Sequence, residues 1–212
     1  MLVFSKIRKL YYRSSSVRLI AFLRKAGVKI WRNCVFRAPL SVQIDLTRPY
    51  LIEIGDNVDM NVNFKVFTHD WASLVFIAKY GQMINSAGKV IIGNNVYFGA
   101  DVTILRGVTI GNNCVIGAGS VVTRSIPDDC VAVGNPCRVV CSIEEYFKKR
   151  STQCLSEAVL VVNSFYGAYG RFPKESELIE EKIFFQKESH LPMHFQSYSD
   201  FISFCQKRLN GK

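Results

Sequence analysis

Stepping by six from Ile92 meets Ile92, Phe98, Ile104, Ile110, Ile116 and Val122, all apolar. Two residues ahead of each runs a second column of small or branched residues. It reads Val90, Val96, Val102, Val108, Cys114 and Ser120, and continues to Ile126. Glycine follows the larger apolar residue at Gly93, Gly99, Gly111 and Gly117, with Leu105 and Thr123 in the other two places. The same phase runs upstream through Ile54, Met60 and Val66, with Val58 and Phe64 as companions. Further back, Ile30, Phe36 and Val42 keep register with Cys34, Leu40 and Leu46, until Arg48 breaks the run. Val66 to Ile92 spans 26 residues, which is not a multiple of six, so an insertion leaves the repeat over about 67–89.

A helix of 3.6 residues per turn would smear this pattern around its circumference. Short strands joined by tight corners fit it. The large apolar side chain points inward, and Gly or Asn takes the positive φ of the corner. No single coil holds a core; the stack does. The predicted fold is mainly β, a parallel solenoid over residues 30–140 carrying one inserted loop. Ahead of it, residues 1–29 read as a basic amphipathic helical segment, with Leu10, Val17, Ile20, Ala21 and Leu23 among its apolar positions. Behind it, residues 141–212 read as a helical extension. Helices are predicted over 142–169, 175–187 and from Tyr198 to Leu209, the first two separated by GRFPKES.

Composition changes the picture in three places. Hydrophobic residues make up 49% and charged residues 21% of the 212, an ordinary globular balance that excludes a disordered chain. No apolar run reaches about 18 residues and no secretory signal opens the chain, so a cytoplasmic protein with reduced thiols is expected. The seven cysteines form no CxxC pair, and Cys114 falls in an inward column as a core residue. The net charge of +10 is one-sided: residues 1–40 hold ten Lys or Arg and no acid, while the rest balances seventeen against seventeen. That end suits an anionic surface, and peripheral association with an anionic inner-membrane leaflet through residues 1–40 is one expectation. A solvated basic helix is the plain alternative.

The run IIGNNVYFGADVTILRGVTIGNNCVIGAGSVVTRSIPDDCVAVGNPCRVV, with THD at 68–70, GAGSVVTR at 117–124 and GNPCRV at 134–139, resembles the hexapeptide-repeat acyltransferases. Among these it is most like the maltose, galactoside and capsular-polysaccharide O-acetyltransferases. The resemblance covers roughly residues 24–141. It implies a left-handed parallel β-helix, a homotrimer with active sites in clefts between subunits, and acetyl-coenzyme A lying along the coils as donor. It also implies a sugar or polysaccharide acceptor in surface polysaccharide biosynthesis.

Acetyl transfer to an alcohol needs a base for the hydroxyl proton. His69 sits where the repeat breaks into its insertion and matches the family's general base. Asp70 is a candidate to orient it, although neighbours on a strand face opposite ways and the orienting carboxylate can come from elsewhere. Many sugar enzymes of this type carry Pro in its place. Trp71, beside the base, is the candidate for sugar stacking; Phe76 and Tyr80 read as packing residues. By resemblance, Gly99, Ala100, Gly117 and Ala118 line the coenzyme groove, where small residues also suit tight corners. Thr123, Arg124 and Arg138 match residues near the coenzyme's phosphates.

No metal is expected, because Pro192 spoils a helical pair between His190 and His194. The β-helical carbonic anhydrases need three histidines where this repeat offers one. The rivals left are N-acetylation of an amino sugar, O-acetylation of serine, and a non-catalytic scaffold whose basic end binds nucleic acid or membrane. No specific nucleic acid is expected.

Overall fold

A computed structural model describes residues 15–186 and 194–210. The expected helical content of residues 1–14, and His190 with Pro192, lie outside the described residues. The described chain divides into two compact units at residues 146 and 147.

The first unit opens with α1 (Ser16–Ala26), whose first turn is capped by the Ser15 hydroxyl accepting from Arg18 N–H at 3.2 Å. Gly27 ends it with φ 108°, a left-handed turn that costs an L side chain strain. The chain then winds through three short strands per coil. The first coil holds β1 (Lys29–Ile30), β2 (Val35–Phe36) and β3 (Gln43–Ile44). The second holds β4 (Ile52–Ile54), β5 (Val58–Met60) and β6 (Lys65–Val66). After α2 (Ser73–Tyr80) in the insertion, the third holds β7 (Val90–Ile92), β8 (Val96–Phe98) and β9 (Thr103–Ile104). The fourth holds β10 (Thr109–Ile110), β11 (Cys114–Ile116) and β12 (Val121–Val122). Like strands stack in parallel, so the coils build three sheets, β1-β4-β7-β10, β2-β5-β8-β11 and β3-β6-β9-β12. β13 (Cys130–Val133) extends the second sheet, and β14 (Arg138–Ser142) closes it antiparallel.

Both apolar columns point inward. Ile92, Phe98, Ile104, Ile110, Ile116 and Val122 are buried, as are Val90, Val96, Val102, Val108 and Cys114. Phe36, Phe64 and Phe98 form a ladder of tilted rings, with centroids 6.2 and 4.9 Å apart. Ser120 keeps its hydroxyl satisfied inside, donating to Gly117 O at 2.6 Å and accepting from Gly134 N–H at 3.1 Å. Burial pushes the Cys114 thiol up to about 12, which makes it an inert core residue.

Three expectations are corrected. Leu40 and Leu46, read as inward companions, are exposed, because 3-10 turns at Pro39–Ser41 and Pro49–Leu51 replace regular corners in the first coil. The glycines at 93, 99, 111 and 117 do not carry the positive φ. The left-handed conformation falls, as expected for Asn, on Asn33, Asn57, Asn95 and Asn113, with Asp129 above them, and at other corners on Asn63, Asp101, Gly107 and Gly119. The first set runs up one corner, with Asn95 Nδ2 donating to Asn113 Oδ1 at 2.9 Å and Asn113 Nδ2 to Asp129 Oδ1 at 2.7 Å. Residues 175–186 form no α-helix; they hold two short 3-10 helices, Glu175–Glu177 and Glu181–Phe184, and residue 187 lies outside the described residues. Glu177 accepts from Lys174 N–H at 2.7 Å and takes both arms of the Arg171 guanidinium, so the segment turns at Glu175–Glu177 and runs extended at Leu178.

α3 (Ile143–Tyr169) spans the boundary between the units. Within the second unit, its residues Ala158 and Val162 pack with Leu178, Phe184, Phe185 and, from α4 (Tyr198–Asn210), Phe201, Ile202 and Cys205. No described helix is long and apolar enough to cross a membrane.

Candidate active site

The insertion leaves the stack at the corner after β6 and returns before β7. Its two stems hold each other, Gly88 N–H donating to Thr68 O at 2.9 Å and Asp70 N–H to Ser86 O at 3.3 Å. His69 therefore stands on a short antiparallel bridge opposite Ala87, fixed to a rigid corner.

Its ring is held by Asp45, which sequence reasoning missed. Asp45 Oδ2 lies 2.6 Å from His69 Nδ1 and also accepts from Thr68 N–H at 3.1 Å and from the Thr68 hydroxyl. Oδ1 accepts from Thr47 N–H at 3.0 Å and Thr47 Oγ1 at 2.6 Å; that hydroxyl also lies 3.4 Å from His69 Nδ1. The carboxylate's side chain is 4% exposed, and His69's is 19% exposed. Burial pushes the Asp45 pKa up, but the bonds from Thr47, Thr68 and His69 outweigh it and hold the carboxyl well below its usual range. An ionised Asp45 only accepts, so Nδ1 is the ring's donor to it, and in the neutral tautomer this bond selects, Nε2 is the acceptor. Ile44 pairs in register with Val66, which puts residue 45 one coil below residue 67, a neighbourhood visible only in the folded register.

Asp70 does not contact His69. Its carboxylate accepts from Ser86 Oγ at 2.6 Å, Ala72 N–H at 3.0 Å and Arg106 Nε at 2.7 Å. These bonds, Ser86's first, hold its carboxyl well below the ordinary value. Asp70 thus ties both stems of the insertion to the corner after β9. Trp71 follows and is 63% exposed. Phe76 is half-buried, whereas Tyr80, read as a packing residue, is exposed with Lys79 Nζ 5.1 Å from its ring centroid.

Because Val66, Ile104 and Val122 are in register, Thr123 and Arg124 stand exposed on the same corner column as Thr68 and Arg106. Gly99, Ala100, Gly117 and Ala118 occupy the preceding corner, across the third sheet. Gly99 and Gly117 serve packing there: a Cβ would meet Ala118 N at 2.5 Å and Val133 Cγ1 at 2.6 Å respectively. Arg138 is exposed on β14, with Nη1 donating to Cys137 O at 2.8 Å. Among the described residues, no group of three or more His, Cys, Asp or Glu could hold a metal ion.

The two loop carboxylates set an acid limit. A depressed folded pKa gives stability that is present above the unfolded value, about 4, and is lost as pH falls through the folded value. Melting temperature is therefore expected to be flat from neutrality to about pH 5 and to fall below about pH 4. The Asp45→Asn/Asp70→Asn double variant should melt lower at neutrality and show a shallower acid fall. Thermal unfolding across that range checks both.

A family model for bacterial transferase hexapeptide repeats (six repeats) matches residues 89–124. Protein CapG of Staphylococcus aureus is 44% identical over 129 residues, which cover 60% of this chain and 73% of that protein. Galactoside O-acetyltransferase of Escherichia coli K12 is 40% identical over 136 residues, covering 61% of this chain and 63% of that protein. Among solved structures, a maltose O-acetyltransferase from Clostridium difficile 630 is 29% identical, with a TM-score of 0.47, over 66% of this chain and 84% of the other. The chain belongs to the hexapeptide-repeat acyltransferases, a class of acyl-coenzyme A-dependent enzymes.

Proposed function

We propose that this chain moves an acetyl group from acetyl-coenzyme A to a sugar hydroxyl in surface polysaccharide synthesis, with His69 as general base. The observation that carries the reading is the Asp45–His69 pair at 2.6 Å, which fixes the imidazole at the lip of a coil through Nδ1 and leaves Nε2 free of that carboxylate. As the acceptor oxygen attacks the thioester carbonyl, Nε2 takes its proton. The tetrahedral centre then collapses, the C–S bond breaks, and the proton passes to the departing thiolate. Asp45 stabilises the imidazolium that forms between these steps and keeps its ring in place. Trp71 offers an exposed aromatic face to a sugar ring.

The coil is assigned the left-handed sense of the family, and the working assembly is a trimer. One argument for the trimer is geometric. The corner bearing Gly99, Ala100, Gly117 and Ala118 is separated within one chain from the corner bearing His69, Thr123 and Arg124. A neighbouring subunit brings one set against the other, so that a coenzyme can lie between them. A second argument is the insertion, which leaves Leu74, Val75, Ile77, Met83 and Ile84 exposed, apolar side chains that a subunit contact would cover. Thr123, Arg124 and Arg138 are the candidates to meet the coenzyme's phosphates.

The test is thiol release from acetyl-coenzyme A across a panel of free sugars, nucleotide sugars, amino sugars and serine. Hydroxyl sugars are expected to raise thiol release at least tenfold above the acceptor-free rate. Turnover confined to an amino sugar or to serine would replace the acceptor, and no turnover with any member would remove the reading.

A further inference from the structure

α1 lies across the open end of the first coil. The Ser16 hydroxyl accepts from Phe36 N–H at 2.9 Å near its start, and Gly27 packs against Pro49 at its finish. Leu19, Ile20 and Leu23 seal the core from above. What remains outward is a mixture that the transfer reaction does not use. Val17 on α1, Trp31 and Leu40 at two corners of the first coil, and Tyr50 in the link to the second are each more than half exposed. Among them stand Arg24, Lys25, Lys29, Arg32 and Arg37, and residues 15–44 contain no acid.

The neighbouring anions lie one coil deeper and meet part of this charge. Arg32 pairs with Asp56 at 3.3 Å, Arg37 pairs with Asp59, and Lys29 stands in register with Glu53. Among the described residues Arg24 bonds only carbonyl oxygens, Ile30 O at 2.8 Å and Trp31 O, so these bonds do not cancel its charge. Lys25 has no bonded partner among the described residues. Ahead of Ser15 the sequence adds Lys6, Arg8, Lys9 and Arg13, again without an acid.

We propose that this end of the coil stack docks on the surface of an anionic phospholipid bilayer. Charge complementarity argues for the occupant: cations attract the acidic headgroups, while the indole, phenol and aliphatic side chains enter the headgroup boundary. A nucleic acid fits less well. Single strands want aromatic faces aligned along a cationic groove, and here Trp31 and Tyr50 stand at separate corners with aliphatic Val17 and Leu40 between the charges.

The experiment is cosedimentation of the full chain with vesicles of phosphatidylcholine alone, or of phosphatidylcholine mixed with phosphatidylglycerol, at low and high salt. Binding is expected for the anionic vesicles only, and weaker at high salt. Each basic residue at such a surface adds about fivefold in affinity, so Lys25→Gln/Lys29→Gln should lose roughly 25-fold. Trp31→Ala/Tyr50→Ala should remove the binding that survives high salt, with melting curves verifying that both variants fold. Equal partition onto neutral and anionic vesicles overturns the proposal. So does full binding by the lysine variant, or displacement from anionic vesicles by a DNA or RNA oligonucleotide. Thiol release with a soluble sugar is measured separately, so either reading can fail without the other.

Discussion

Asp45→Asn is expected to lower kcat by roughly 10²–10⁴-fold while leaving KM for acetyl-coenzyme A within about threefold. The carboxylate takes five bonds, two on Oδ1 and three on Oδ2, all from donors. An asparagine has one acceptor oxygen, so either the Thr47 pair or the Thr68 and His69 set must face its NH₂. Where His69 loses its acceptor, its ring is free to carry the proton on Nε2, the wrong tautomer for a base. His69→Ala should cost a comparable factor through loss of the base itself, and the double variant should be little worse than either single one, because the two residues act as a unit. Steady-state kinetics by thiol release, with circular dichroism to confirm the fold, decides it. If Asp45→Asn keeps more than about a tenth of the rate while His69→Ala is inactive, Asp45 is a scaffold residue only. An active His69→Ala removes the mechanism.

The sequence made the stack legible because a coil repeats one physical demand. Every sixth position must fill the same interior, so Ile92 to Val122 announce themselves without any alignment. The break in phase between Val66 and Ile92 likewise exposed the insertion and, at its edge, His69. Features outside that demand were harder to read. Leu40 and Leu46 sit in phase, yet the first coil has a helix above it in place of another coil, and 3-10 turns carry those side chains outward. Residues 175–187 contain good helix formers, but the ion pair of Arg171 with Glu177 fixes a turn that propensity does not foresee. Asp45 was hidden for another reason. It lies 24 positions before His69, and only the parallel register of β3 on β6 makes them neighbours. Asp70, adjacent in sequence, was the more visible carboxylate and belongs to the loop clasp.

The glycine column shows how much the stack depends on one missing atom. Gly55, Gly93 and Gly111 follow the inward isoleucines at the same corner, each beneath the backbone of the next coil. A Cβ on Gly93 would stand 2.7 Å from both C and O of Gly111, and one on Gly55 would stand 2.5 Å from Gly93 O. These contacts are with backbone already bound in the ladder, where Gly93 N–H donates to Ile110 O at 2.8 Å, so no flexible side chain can yield. Gly93→Ala must therefore part the coils locally, and the expected cost lies at the upper end of overpacking, about 3 kcal/mol. At roughly 2–4 °C per kcal/mol, the melting temperature should fall by about 6–12 °C. Gly167→Ala is the matched contrast. It lies inside α3 with nothing within 4 Å of the added carbon, so helix propensity should make the same substitution neutral or stabilising by up to about 1 kcal/mol. Calorimetry on the two variants separates the explanations: if both shift the melting temperature alike, steric closeness between coils is not what places glycine at position 93.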